Sequence, residues 1–140
     1  MVIEELTAKD ATETAALWRE VGLTRPWNDA DSDFSRALLG ATSTVLGARE
    51  ADQIVGTVMV GYDGHRGWVY YVAVAPSHQR QGIGAKLMAA AESWLGTRGA
   101  VKIQLMVRDT NPATRHFYEH LGYDDANVTV MARWLTPPSR

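Results

Sequence analysis

The chain has 140 residues, 46% hydrophobic and 21% charged, the balance of a folded globular protein rather than a disordered or fibrous one. A formal net charge of -2 excludes the basic footprint of nucleic-acid binding, and no stretch reaches the roughly 20 apolar residues of a bilayer span. With no cysteine, disulfides, thiolate metal ligation and a cysteine nucleophile are excluded. The acidic start Met1-Val2-Ile3-Glu4-Glu5 is unlike a signal peptide, so a cytoplasmic protein without nucleic-acid or membrane partners is expected.

Length favours one domain, expected over residues 1–136 with a short tail at 137–140. Residues 2–6 read as a strand. Asp10 with Glu13 three residues later has the form of a capping box, opening a helix through Leu17, Trp18 and Val21 that Gly22 closes. Residues 23–29 read as a loop, and a second helix follows with Phe34, Ala37, Leu38 and Ala41 on one side. Strands are expected at 44–48, 54–62 and 68–74, the last two forming a hairpin. After Gly82-Ile83-Gly84, the residues Ile83, Leu87, Ala90 and Trp94 recur at helical spacing until about Gly99, and Trp18 and Trp94 are expected in the core. A strand at 101–107 is expected next. Asn111 then caps a helix with Pro112 at its first position and Phe117 and Leu121 on its apolar face, and residues 127–135 end the chain as a strand. This order predicts an α/β fold, a mixed α+β sheet with helices on both faces.

The most informative stretch runs from Val72 to Gly84. A strand enters a glycine-containing turn that opens a helix, which aims unpaired N–H groups and the positive end of the helix dipole at one spot, as a phosphate or pyrophosphate requires. Gly82 and Gly84 also suit a tight turn and close packing, and spacing alone leaves both readings open. The turn lacks the Gly-Lys-Ser/Thr ending of a nucleotide P-loop and the third glycine of the dinucleotide fingerprint.

Gln79-x-x-Gly82-x-Gly84 after a strand resembles the acyl-CoA signature of the GNAT acetyltransferase superfamily, and Asn111 followed by Phe117-Tyr118 and Gly122-Tyr123 resembles that family's later motif. The loop Arg25-Pro26-Trp27-Asn28-Asp29 and the turn at 61–67 are similar to the bacterial YpeA-type branch, near the RimI-like acetyltransferases. The resemblance implies a central twisted mixed sheet, acetyl-CoA as co-substrate without a metal, and direct acetyl transfer to a primary amine in a ternary complex. It also implies that the backbone of Val72, Ala73 and Val74 contacts the acetyl and pantetheine portions. By the same resemblance, Arg80, Gln81, Gly82, Ile83, Gly84 and Ala85 cradle the pyrophosphate, Asn111 hydrogen-bonds the cofactor, and Tyr118 donates a proton to the departing thiolate. Asn111 is equally explained as a helix cap, and Tyr118 as a core residue with a surface hydroxyl. An unperturbed tyrosine, pKa about 10, would donate to a thiolate of pKa about 8.5 only at a cost of about 2 kcal/mol.

RimI-like relatives carry Glu in a Leu-Glu-Val-Arg strand, where this chain has Leu105-Met106-Val107-Arg108. Met106 cannot accept a proton, so the general base is left open. An α-amine of pKa about 7.7–8.0 is roughly one-tenth neutral at pH 7, a lysine of pKa about 10.4 only about 0.04%. The acceptor-side candidates are Trp27, Asp29, Asp63, His65 and Tyr70; Asp29, Asp63 and His65 also read as turn or cap residues. Tyr70 and Tyr71 should face opposite sides of their strand. The acceptor is an amine-bearing small molecule or a peptide N-terminus; the alternative class is an acyl-CoA-binding regulatory module with little turnover. His116 and His120 stand at i, i+4 without an evident third metal ligand. A terminal edge strand at 127–135 would permit a homodimer.

Overall fold

Valine and tyrosine crowd residues 43–74, and this stretch forms the three long strands of a five-stranded sheet in the computed structural model, which describes residues 1–138. These are β2 (Ser43–Glu50), β3 (Gln53–Tyr62) and β4 (Gly67–Val74), with β1 (Val2–Glu5) and β5 (Ile103–Gln104) at the edges. The sheet order is β1-β2-β3-β4-β5; the β4–β5 pair is parallel and the others antiparallel. Helices α1 (Ala11–Glu20), α2 (Ala30–Leu39) and α3 (Ile83–Gly96) complete the unit Met1–Leu105, and a second unit runs from Met106 onward.

The β2–β3 turn puts Ala51 and Asp52 at φ +49° and +65°, the pair of positive values that a two-residue turn matching the strand twist demands. In the β3–β4 hairpin the Asp63 carboxylate accepts from the backbone N–H of His65 at 2.8 Å and of Arg66 at 2.7 Å.

Gly56 and Thr57 are consecutive in β3 and therefore face opposite sides of the sheet. A Cβ on Gly56 would meet Leu87 and Ile83 of α3 at 2.8 and 3.1 Å, whereas the Thr57 hydroxyl accepts from Trp18 Nε1 of α1 at 2.9 Å. Helices thus cover both faces, as the element order predicts. On the α1 face Leu6, Ala15, Trp18, Phe34, Val45 and Ala73 are buried together, with the Trp18 and Phe34 rings edge-on at 6.1 Å. Each fully buried large aliphatic or phenyl side chain contributes about 1.5–3 kcal/mol, enough for two short helices of modest propensity to dock.

Several local expectations are corrected. The capping box sits one turn earlier: Thr7 N–H donates to Asp10 at 2.8 Å around a 3₁₀ turn, Ala8–Asp10, and Glu13 instead accepts the Ile54 N–H at 2.7 Å. The buried stripe of α3 is Ile83, Leu87, Met88, Ala91 and Leu95, so Trp94 falls beside it. Trp94 is half-buried, donating to Glu5 at 3.3 Å under the Arg98 guanidinium, 3.5 Å from its ring. Ala41 lies beyond α2 and is exposed.

The strand expected at 101–107 shrinks to β5, whose paired positions are Gly67↔Ile103 and Trp68↔Gln104; Val101 is 84% exposed. In the second unit Asn111 caps α4 (Pro112–His120), accepting from Thr114 N–H at 3.2 Å, with Pro112 in the first turn. Residues 127–135 form no strand. Val128, Val130, Met131, Trp134 and Leu135 are exposed, and alternation without a partner ladder leaves the backbone to water. The edge expected there for a homodimer is therefore not a strand edge. Of the expected tail, Pro137 and Pro138 are without regular structure, and 139–140 lie outside the described residues. Among the described residues no helix is long and apolar enough to cross a membrane.

Candidate functional site

The site begins where β5 ends. After Trp68 no β5 residue pairs with β4, while β3 continues beside β4 to the Gly56↔Val74 pair. The outward backbone groups of residues 69–74, including Val72, Ala73 and Val74, therefore face an edge without a β5 neighbour. An extended ligand can bond such an edge as an added strand would.

Beyond Val74 the chain makes one short turn, Pro76–His78, and reaches Gln79, whose side-chain amide donates to the Val74 carbonyl at 3.4 Å. Arg80 and Gly82 then adopt left-handed conformations, φ +64° and +76°. The first turn of α3 has no capping side chain and no acidic residue. Lys86 N–H makes the bond to the Gly82 carbonyl, at 3.1 Å, so the N–H groups of Ile83, Gly84 and Ala85 precede the intrahelical ladder. Arg80, Gln81 and Gly82 are exposed, Ala85 is half-buried, and Ile83 and Gly84 are buried. An uncapped helix start beside an arginine suits a phosphate ester.

The second unit holds Asn111 and Tyr118. Asn111 is exposed and is the cap its sequence position implies. Tyr118 is 8% exposed, with the Phe117 and Tyr123 rings edge-on at 4.9 and 5.8 Å. Burial pushes its hydroxyl up to about 12. Tyr118 is thus a persistently protonated hydrogen-bond donor rather than an acid poised near neutrality.

The acceptor-side candidates prove partly committed. Asp29 caps α2, accepting from Asp31 N–H at 3.1 Å and Ser32 N–H at 3.4 Å, and the bonds from Ser32 hold its carboxyl below the ordinary value. Asp63 is held low by the Arg66 and His65 N–H groups of its turn. Both are poor proton acceptors. His65 and Trp27 are exposed. Tyr70 is 44% exposed, and burial with the nearby Asp63 charge raises its pKa. Met106, also exposed, supplies no base.

A cluster the sequence does not signal sits at the bulge of β4. Thr57 pairs with Ala73 and Met59 with Tyr70, so Val58 opposes both Tyr71 and Val72. Tyr71 is left-handed, φ +51°, a conformation that costs a bulky residue about 1–3 kcal/mol. Three contacts offset that cost. The ring stacks on Trp18 at 3.8 Å and 14°, the hydroxyl donates to Asp33 at 2.7 Å, and the carbonyl accepts from Thr57 Oγ1 at 2.9 Å. Burial, then Asp33, raises the Tyr71 pKa far above the ordinary value. Alternation therefore fails at this pair, because the bulge rather than a regular pleat sets where Tyr71 lies. A tyrosine pair in a strand carries no signal of a bulge.

His78 bonds Ser77 Oγ at 2.7 Å and lies 3.4 Å from Glu50, and His116 and His120 are exposed on α4. Among the described residues no group of three or more His, Cys, Asp or Glu side chains is placed to hold a metal.

Residues 8–123 match the acetyltransferase (GNAT) family, and the chain belongs to it, a family of acyltransferases. Solved structures agree on the fold. A transcriptional regulator from Bacillus halodurans C-125 aligns with TM-score 0.80 and 22% identity, covering 95% of this chain and 99% of that one. The aminoglycoside N-acetyltransferase AAC(6')-Iy in complex with CoA aligns with TM-score 0.82 and 15% identity, covering 96% and 94%. An aminoglycoside acetyltransferase from an uncultured soil metagenomic sample, in complex with sisomicin, aligns with TM-score 0.78 and 20% identity, covering 96% of each.

Proposed function

We propose that the protein transfers an acetyl group from acetyl-CoA to a primary amine on a small molecule, by direct attack in a ternary complex. The observation that carries this reading is the β4 edge left by β5, running directly into the uncapped start of α3. The family match and the CoA found with AAC(6')-Iy support it. The match over residues 8–123 also spans the junction after Leu105, which supports one functional domain over 1–136. The loop at 25–29 supports placement within the YpeA-type or RimI-like branch.

Acetyl-CoA supplies an acyl group activated as a thioester. In our reading the backbone of Val72, Ala73 and Val74 bonds the acyl and pantetheine portions, and residues 80–85 hold the pyrophosphate. The amine nitrogen bonds to the acyl carbon, the C–S bond breaks, and nitrogen loses one proton while sulfur gains one. Tyr118, raised to about 12, would lose its proton to a thiolate of pKa about 8.5 only at a cost of about 5 kcal/mol. It therefore donates a hydrogen bond to the developing charge, and solvent completes the protonation. With Asp29 and Asp63 engaged in turns, an amine partly neutral at working pH is the better acceptor. The aminoglycoside acetyltransferases among the structural neighbours favour small-molecule amines over peptide N-termini.

Those same engaged carboxylates, with Met106 in place of a glutamate, favour the second reading, an acyl-CoA-binding regulatory module with little turnover. Titration calorimetry with acetyl-CoA, comparing the native protein with Gly84→Trp and Gly82→Ala, tests the shared premise. Micromolar binding weakened in both variants, followed by thiol release with a panel of small amines, supports the enzyme; binding without release for any amine or peptide supports the module. No binding by the folded native protein overturns both.

A further inference from the structure

We propose that Tyr71 is a positioning residue for acyl transfer: gripped by Trp18, Asp33 and Thr57, it fixes the β4 bulge so that the Val72 and Ala73 backbone keeps one geometry toward the acyl group. The inference rests on the reading of β4 as the acyl-carrier edge, and it adds residues that neither the family motifs nor the turn signature include.

The grip acts on three separate parts of one residue. The ring is stacked on Trp18, the hydroxyl bonds Asp33 of α2 at 2.7 Å, and the carbonyl is hooked by Thr57 Oγ1, which also takes the Trp18 indole N–H. Each anchor comes from a different element: α1, α2 and β3. Tyr71 is also the one β4 residue with a positive φ, and it immediately precedes Val72. A left-handed residue redirects the chain that follows it, so any relaxation toward extended backbone rotates the next peptide groups. A bulge re-aims backbone at the point where a ladder stops being regular, and here that point lies within the stretch without a β5 partner. Asp33 has a second reading, in which its carboxylate takes the proton from the acceptor amine. The two readings separate by substitution, because an asparagine oxygen still accepts from the Tyr71 hydroxyl but is no base.

The test compares Asp33→Asn, Asp33→Ala, Tyr71→Phe and the double variant Tyr71→Phe/Asp33→Ala. Each is measured for acetyl-CoA binding by calorimetry, for kcat and KM with an amine found by thiol release, and for the Val72 and Ala73 amide shifts by NMR without ligand. Tyr71→Phe keeps the ring on Trp18, so the variant retains its packing. We expect Tyr71→Phe and Asp33→Ala each to lower kcat about 10- to 100-fold. KM for acetyl-CoA should change less than about 3-fold, the two amide shifts should move, the double variant should be no worse than either single, and Asp33→Asn should retain most of the native rate. Asp33→Asn as impaired as Asp33→Ala overturns the proposal in favour of a proton acceptor. Unchanged kcat and unchanged amide shifts in Tyr71→Phe overturn it outright. If the native protein neither binds acetyl-CoA nor transfers acetyl, the enzymatic reading fails; unmoved Val72 and Ala73 amides in Tyr71→Phe separately refute the hold on the bulge.

Discussion

Thr57 and Thr14 allow the same substitution with opposite expected signs. Both side chains are fully buried on the α1 face, but Thr57 Oγ1 accepts from Trp18 Nε1 and donates to the Tyr71 carbonyl, each at 2.9 Å, whereas Thr14 Oγ1 has no hydrogen-bond partner among the described residues. Valine matches threonine in shape. Thr57→Val therefore leaves an indole N–H and a strand carbonyl unpaired at about 1–3 kcal/mol each, a destabilisation of about 2–6 kcal/mol. For a chain of this size that lowers Tm by about 10 °C. Thr14→Val removes an unpaired buried hydroxyl at nearly equal helix propensity and should stabilise by about 1 kcal/mol. Urea unfolding followed by tryptophan fluorescence, checked by scanning calorimetry, reads both. Shifts of the same sign and size in the two variants would refute the assignment of these hydrogen bonds, since the change in volume and branching is identical.

Other outcomes follow from the same contacts. Burial pushes the Asp10 carboxyl up, but bonds from Arg49 at 2.7 Å and from Thr7 outweigh it and hold the group below its ordinary value. Its contribution to stability is therefore complete above the ordinary carboxylate pKa and lost as pH falls through the lower folded value; Asp10→Asn should flatten that acid arm in urea titrations from pH 7 to 2. Arg49→Met leaves Asp10 buried without its cation and should cost about 2–3 kcal/mol at pH 7. Tyr118, raised by burial to about 12, makes the folded state lose about 3 kcal/mol as pH rises from 10 through 12, a share of the alkaline slope that Tyr118→Phe should remove when unfolding is followed across that range, leaving the share of Tyr70 and Tyr71. Gly82 and Gly64 both have positive φ, +76° and +90°, and open space where a Cβ would stand. Alanine at either should cost about 1 kcal/mol of stability, but only Gly82→Ala should weaken acetyl-CoA binding; equal effects at both positions would remove residues 80–85 from the site.

The parts of this protein legible in the sequence are those whose signals are local. Residues 54–62 and 68–74 form strands because their side chains suit a pleat and Asp63 with Gly64 supplies the turn, and Asn111-Pro112 caps α4 because capping involves only the next few N–H groups. The strand, glycine turn and helix from Val72 to Ala85 are local too, which is why this arrangement was legible in the sequence, although spacing alone fits a bare tight turn as well as an anion site.

Tertiary structure decided the rest. Asp10 and Glu13 had the spacing of a capping box, but Arg49 and the Ile54 N–H, distant in sequence, claimed them. Residues 127–135 had the alternation of a strand and found no ladder, because a strand exists only through a partner that its own sequence does not specify. The bulge at Tyr71 arises from a mismatch in count between β3 and β4, fixed by side chains on α1, α2 and β3. A pattern of residue types records which faces are apolar, but register, pairing and the hydrogen-bond partners of buried groups depend on which distant atoms arrive, and that is set only when the whole core closes.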